Sequence, residues 1–173
     1  MFKNFFYFFS ILIICLNNNA SAKSSFVYIE MNNILNNSKV GKNTIEQLKK
    51  QNDKIQKNFK GSELKLGEEE KNIFLKKKIL SKDQFNKEIQ NLKKKITLYN
   101  NNKNKILNEQ NQKKINSQKK IVDILNPILI KYMEEKSITI IFKKDSMIVA
   151  PKELNITDEI IDRLNKKITK LEL

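Results

Sequence analysis

The sequence predicts an α+β chain, predominantly α, in which a long antiparallel coiled-coil hairpin projects as an arm from a small β body. Three observations carry this expectation. Only three glycines and two prolines occur among 173 residues, so the chain has few places to turn and long elements must dominate. Apolar residues recur at steps of three and four through the middle of the chain. Short β-like runs sit towards its two ends.

Ahead of the first run, residues 1–22 read as a secretory signal. Lys3 supplies the positive end, Phe5 to Leu16 the apolar core, and Ala20-Ser21-Ala22 the small-residue cleavage site. The core is shorter than the roughly 20 apolar residues a bilayer span needs, and Asn17, Asn18 and Asn19 follow directly. Cleavage is therefore expected after Ala22. A lipid anchor on Cys15 is disfavoured, because the bulky Ile14 precedes it where a small residue is wanted.

Cleavage removes Cys15, the only cysteine, and the sequence has no histidine. Cys-His nucleophilic catalysis, histidine general bases and the common zinc sites are thereby excluded within one mature chain. Gly41, Gly61 and Gly67 fit neither phosphate-loop nor dinucleotide spacing. Glu68-Glu69-Glu70 and Glu134-Glu135 are consecutive on helical stretches and splay around the axis instead of converging on a metal. No catalytic, cofactor-binding or metal-ligating residue is assigned, and no enzyme activity is expected.

The body is read from residues 23–40 and 125–173. Phe26-Val27-Tyr28-Ile29 forms a first strand. Ile138 to Phe142 and Met147 to Ala150 read as an antiparallel hairpin stopped by Pro151. A last helix begins at Asn155-Ile156-Thr157, with Thr157 as its cap, Asp158 and Glu159 at the positive end of the dipole, and Ile160, Ile161, Leu164 and Ile168 on the buried face. So small a sheet has open edges and supports a long arm poorly. A closed homo-oligomer built through the strands is expected, with Phe26, Val27, Tyr28, Ile29, Ile138, Ile140, Phe142 and Ile148 at its interface.

The arm occupies residues 41–124. Its outgoing seam runs Ile45, Leu48, Asn52, Ile55, Phe59, Ser62, Leu66, Glu69, Ile73, Lys76 and Leu80, a narrow coiled-coil stripe. Ser81 to Gln84 then form a capping-box pattern, which places the tip near Ser81. The return seam reads Phe85, Ile89, Leu92, Ile96 and Tyr99. If the two fold back, partner positions sum to about 162, so that Ile73 meets Ile89, Leu66 meets Ile96 and Phe59 meets Lys103. At 1.5 Å per residue the outgoing helix is about 55 Å long. Gly61 and Gly67 face the polar stretch from Asn100 to Ile106, which marks either a soft zone or two tolerated surface glycines. Pro127 interrupts the shifted apolar pattern from Ile115 to Tyr132 and predicts a kink near the body.

The formal charge of +15 comes from lysine, with Arg163 the one arginine. Nucleotide bias explains part of it, yet so basic a chain attracts acidic partners over about 8–10 Å. Lys76 to Lys78 and Lys93 to Lys95 flank the tip, either as a solvated helix face or as a basic lining for acidic ligands. Nucleic acid is not the expected partner, because no reading motif occurs and arginine is nearly absent.

Val27-Tyr28-Ile29-Glu30-Met31, Ser38-Lys39-Val40-Gly41-Lys42, Leu125-Asn126-Pro127-Ile128-Leu129 and Ile156-Thr157-Asp158-Glu159-Ile160 occur in an order and spacing that resembles the OmpH (Skp) family of periplasmic chaperones. The resemblance covers essentially all of the mature chain. It implies a homotrimer with a β-rich body and three arms around a cavity, located in the periplasm after export. It also implies an ATP-independent holdase that keeps unfolded outer-membrane proteins soluble. The arm residues expected to meet such clients are Phe59, Leu66, Ile73, Phe74, Phe85, Ile89, Tyr99, Lys93, Lys94 and Lys95. Anionic lipid or lipopolysaccharide is a further candidate partner. The family's proposed lipopolysaccharide-binding residues do not align clearly with this arm, and none is carried over. The alternative reading is a basic coiled-coil envelope protein that binds anionic lipid or nucleic acid.

Overall fold

The computed structural model describes residues 25–172, so the export signal read at residues 1–22 lies outside the described residues. The chain runs through β1 (Phe26–Ile29), α1 (Met31–Asn37), α2 (Lys39–Leu75), α3 (Lys82–Lys136), β2 (Ile140–Lys143) and α4 (Thr157–Lys167). Single 3-10 turns occupy Lys76–Lys78, Lys144–Ser146 and Lys152–Leu154. The result is mostly helical, with one small sheet.

That sheet differs from the expected one. β1 and β2 pair in parallel, with Phe26 opposite Ile140 and Ile29 opposite Lys143. The crossover that a parallel pair requires is the whole hairpin of α2 and α3. The expected antiparallel hairpin of Ile138–Phe142 with Met147–Ala150 does not form: Lys144–Ser146 closes into a 3-10 turn and residues 147–150 join no strand. The reason lies in β1. Its consecutive Val27, Tyr28 and Ile29 are all buried, the pattern of a strand covered on both faces, which suits a parallel pairing. Tyr28 also bridges to Asn155 on the other edge, and the Ile156 N–H donates to the Tyr28 carbonyl at 3.0 Å.

The helices close over β1 from one side. Val27 and Ile29 meet Ile34, Val40, Ile121, Leu125, Tyr132, Ile156, Ile160 and Leu164 in a single core. Complete burial of an aliphatic side chain contributes about 1.5–3 kcal/mol, and Ile34, Leu125, Ile160 and Leu164 are all without exposed surface. Thr157 does not cap α4 as expected. The helix starts on it, and its hydroxyl instead accepts the Glu30 N–H at 2.9 Å, which ties α4 to the end of β1. The N-cap position falls on Ile156, which has no side-chain cap, and Asn155 Oδ1 accepts the Thr157 N–H at 3.0 Å just ahead of the helix.

The root of the arm depends on two small residues. Ser38 ends α1 and caps α2, its Oγ accepting the Gly41 N–H at 3.1 Å. A Cβ on Gly41 would lie 1.9 Å from the Leu35 carbonyl oxygen, so the crossing of α1 and α2 admits only glycine there. The two other glycines behave differently. α2 runs unbroken through Gly61 and Gly67, where a Cβ would meet nothing within 4 Å. α3 likewise continues through Pro127, which is exposed. The bond that Pro127 cannot make to the Asp123 carbonyl is therefore lost on a solvated face.

Candidate functional site

The arm is the packing of α2 against α3, and its seam is assembled from side chains that the helical period brings together. Phe59 meets Tyr99 edge-on at 6.3 Å between ring centroids. Lys103 lies over both rings, at 5.4 Å from Phe59 and 5.7 Å from Tyr99. Glu63 closes this cluster: its Oε1 accepts from the Tyr99 hydroxyl at 2.6 Å and from Lys103 Nζ at 2.7 Å. Towards the tip, Lys95 pairs with Glu69 at 2.6 Å. Phe74 then meets Phe85 edge-on at 6.0 Å. Towards the root, Lys113 donates to Gln51 at 3.0 Å. These pairs follow the predicted register, including Phe59 with Lys103.

The charges respond to one another. Hydrogen bonds, from Lys103 first and Tyr99 second, hold Glu63 below the usual carboxylate range. Burial and then the Glu63 carboxylate push the Tyr99 hydroxyl up, and the hydrogen bond to Glu63 raises Lys103. All three lie near solvent, so the cluster orients the helices more than it adds Coulomb energy. At the tip the capping box forms in full. Ser81 Oγ accepts the Gln84 N–H at 3.3 Å, and Gln84 Oε1 accepts the Ser81 N–H at 3.1 Å.

Several expected ligand-contacting residues are used up in this seam. Phe59 and Ile73 are buried, and Leu66, Phe85, Ile89 and Tyr99 are half-buried. Phe74 keeps 53% of its surface exposed. Lys93, Lys94 and Lys95 are exposed, although Lys95 is engaged with Glu69. Much of the free apolar surface belongs to residues outside both seams, Leu64, Leu75, Ile79 and Leu98, exposed by 60%, 67%, 84% and 69%, although the seam residues Ile45 and Ile96 also keep 47% and 37%. Leu64, Leu75, Ile79 and Leu98 share one signal in the sequence, that they fall off the three-and-four stepping of either seam.

The strands divide in the same way. Val27 and Ile29 are covered by the chain's own core, Tyr28 is buried on the other face of β1, and Ile138 packs against the core half-buried. Phe26, Ile140 and Phe142 share the face of Tyr28 and stay partly exposed there, with Phe26 and Phe142 6.3 Å apart. Beyond β2, Ile148 and Val149 are almost fully exposed. Among the described residues no cluster of acidic, cysteine or histidine side chains is placed to hold a metal, and no helix is long and apolar enough to cross a membrane.

The described residues thus form a small sheet carrying two long packed helices, which bear exposed apolar side chains and lysines outside their seam. The chain belongs to the OmpH-like family: the family described as outer membrane protein (OmpH-like) matches residues 25–164. This is not an enzyme family. The fold is also similar to the crystal structure of a candidate outer membrane chaperone (OmpH-like) from Caulobacter crescentus CB15, with a TM-score of 0.79. That likeness covers 87% of this chain and 89% of the other at 17% sequence identity, and is a likeness of fold. A comparison with curated proteins gave no match.

Proposed function

We propose that the protein is an ATP-independent holdase chaperone of the periplasm, which keeps unfolded outer-membrane proteins soluble in a cavity between the arms of a homotrimer. The observation that carries this reading is the separation of roles on the arm. The seam holds two long helices together, while Leu64, Phe74, Leu75 and Leu98 remain free among exposed lysines such as Lys93 and Lys94. Scattered apolar contacts and a basic surface suit many weak, unspecific attachments to an unfolded chain. Residues 23–40 and 125–173 make the body in this proposal, and 41–124 make the arm.

The trimer would be closed through the uncovered side of the sheet. Phe26, Ile140, Phe142 and Ile148 are available for it, and β2 has no neighbour on its outer edge among the described residues. Burying such an edge against another copy removes an aggregation hazard. Val27 and Ile29 contribute by holding β1 in place from the core side, and Tyr28 by its backbone bridge to Asn155.

The test is the mass of residues 23–173 in solution, with and without a denatured outer-membrane barrel, together with light scattering during dilution of that barrel from denaturant. A trimer that suppresses aggregation at one trimer per client is the expected result. Unchanged scattering, or a mass that never includes the client, would overturn the proposal.

A further inference from the structure

Where the arm leaves the body, α1, α2 and α3 border a groove of about 680 Å³, within the size range of ligand sites. Leu35 of α1, Ile45 and Leu48 of α2 and Ile121 of α3 make it apolar. Lys49 and Lys114 stand on its α2 and α3 sides. Both are exposed, and neither has a carboxylate partner among the described residues. No described carboxylate lines the groove, and Glu46, next to Ile45 in the chain, is paired with Lys50 at 2.7 Å. Thr44 adds a second observation. It lines the same groove, is 3% exposed, and its Oγ1 is the buried side-chain polar atom left without a hydrogen-bond partner among the described residues. Ser117, equally buried in the facing helix, donates instead to the Lys113 carbonyl at 2.6 Å. A buried hydroxyl without a partner is costly until something supplies one.

We propose that this groove is a peptide site for a short extended segment of an unfolded client, in which an apolar side chain stands next to a carboxylate. The apolar side chain enters between Leu35, Ile45, Leu48 and Ile121, and the carboxylate meets Lys49 and Lys114. A peptide group of the segment gives the Thr44 hydroxyl its missing partner. Charge complementarity selects this occupant. Two ammonium groups with no carboxylate beside them favour an acidic segment and disfavour a second copy of this chain, whose formal charge is +15. Amide side chains complete the rim, Asn36 and Gln118 among them, and an amide both donates and accepts, as a peptide backbone does. The inference rests on the client-holding reading and adds to it one defined site at the root of the arm, apart from the scattered contacts along its length.

The experiment measures fluorescence anisotropy of a labelled short peptide, with phenylalanine next to aspartate, titrated with residues 23–173. Saturable binding is expected. Serine for the phenylalanine of the peptide weakens it by about tenfold or more. Asparagine for its aspartate, or Lys49→Gln with Lys114→Gln in the protein, weakens it by about tenfold. Ile45→Glu, at a position 47% exposed, places a like charge in the groove and abolishes binding. Thr44→Val weakens binding by about fivefold while the unfolding midpoint of the free protein rises, because the unpaired hydroxyl is gone; a hydroxyl with a structural role alone would lower that midpoint. Residues 23–173 contain no cysteine, so Ile45→Cys carries a photo-crosslinker at one place, and crosslinks to the peptide are expected. Suppression of barrel aggregation is measured alongside. Suppression by the unaltered chain without saturable peptide binding overturns the groove and leaves the holding reading standing, whereas peptide binding without suppression supports the groove and overturns that reading. Full binding by Ile45→Glu or by Thr44→Val, or crosslinks to a second copy alone, also overturns the groove.

Discussion

Replacing Gly61 and Gly67 together by alanine is expected to tighten the middle of the arm by about 2 kcal/mol. Both glycines lie in the interior of α2, neither has a positive φ, and an added Cβ at either meets nothing within 4 Å. Alanine therefore keeps the geometry and removes only the conformational freedom of glycine, worth about 1 kcal/mol per helix interior position. The two sites are six residues apart, about 9 Å along the axis, so their effects add. An opening that releases both turns becomes about 30-fold rarer at 2 kcal/mol. Hydrogen exchange of the amides from 60 to 68 reads this directly, with the amides from Ile89 to Tyr99 as the internal reference. Exchange in the unaltered protein that is faster in the first window than in the second, and slows about 30-fold in the variant, is the expected result. Equal rates in the two windows refute the soft zone and leave two tolerated surface glycines. An unslowed variant refutes the helical geometry at these positions.

Gly41→Ala acts at the root in the opposite sense: its Cβ falls on the Leu35 carbonyl oxygen, and overpacking against backbone is expected to lower stability by about 3 kcal/mol in denaturant unfolding. An unchanged midpoint would show that the crossing of α1 and α2 yields freely. Glu63 provides a pH test. Its carboxyl is held below the usual range when folded, so its contribution is present above the unfolded value of about 4.3 and fades as pH falls through the folded one. The melting-temperature gap between the unaltered protein and Glu63→Gln should be present at neutral pH and close in acid, and a gap independent of pH would deny the pairing with Lys103.

The parts of this fold that were legible in the sequence are those decided over one or two helical turns. Ser81 and Gln84 are three residues apart, and the box they form depends on nothing distant. The register of the arm was legible for a related reason. A helix keeps its period over many turns, so a tip near Ser81 suffices to bring Phe59 to Lys103. The partner of β1 was not legible, because strand pairing is decided by contacts across the whole arm. An antiparallel hairpin between neighbouring runs is the shorter connection, but it would have left the edge of a doubly buried β1 without its ladder. Nor does an apolar run state whether its own chain or another copy covers it, and Val27, Tyr28 and Ile29 prove to be covered from within. The cap of α4 shows the same limit on a smaller scale. Thr157 is a good capping residue, yet α4 starts on it and has Ile156 at its N-cap, while the Thr157 hydroxyl is claimed by the Glu30 N–H, 127 positions away.

The division of the arm into seam and free surface leads to a test that separates folding from holding. Phe59 is 6% exposed, stacks edge-on with Tyr99 and lies under Lys103. Truncating a buried phenylalanine to alanine costs about 3–5 kcal/mol, so Phe59→Ala is expected to loosen the hairpin and reduce client holding only as a consequence of that damage. Leu64 and Leu98 are mostly exposed, and surface changes of this kind alter stability by no more than about 0.5 kcal/mol. If clients are held by the free apolar groups, Leu64→Ser with Leu98→Ser lowers suppression of barrel aggregation while circular dichroism and melting stay unchanged. Rising salt then weakens the remaining complex more steeply, because lysine contacts form a larger share of what is left. Full suppression by the Leu64→Ser, Leu98→Ser variant, with an unaltered salt dependence, would mean that these side chains do not touch the client and that holding rests on the lysines alone.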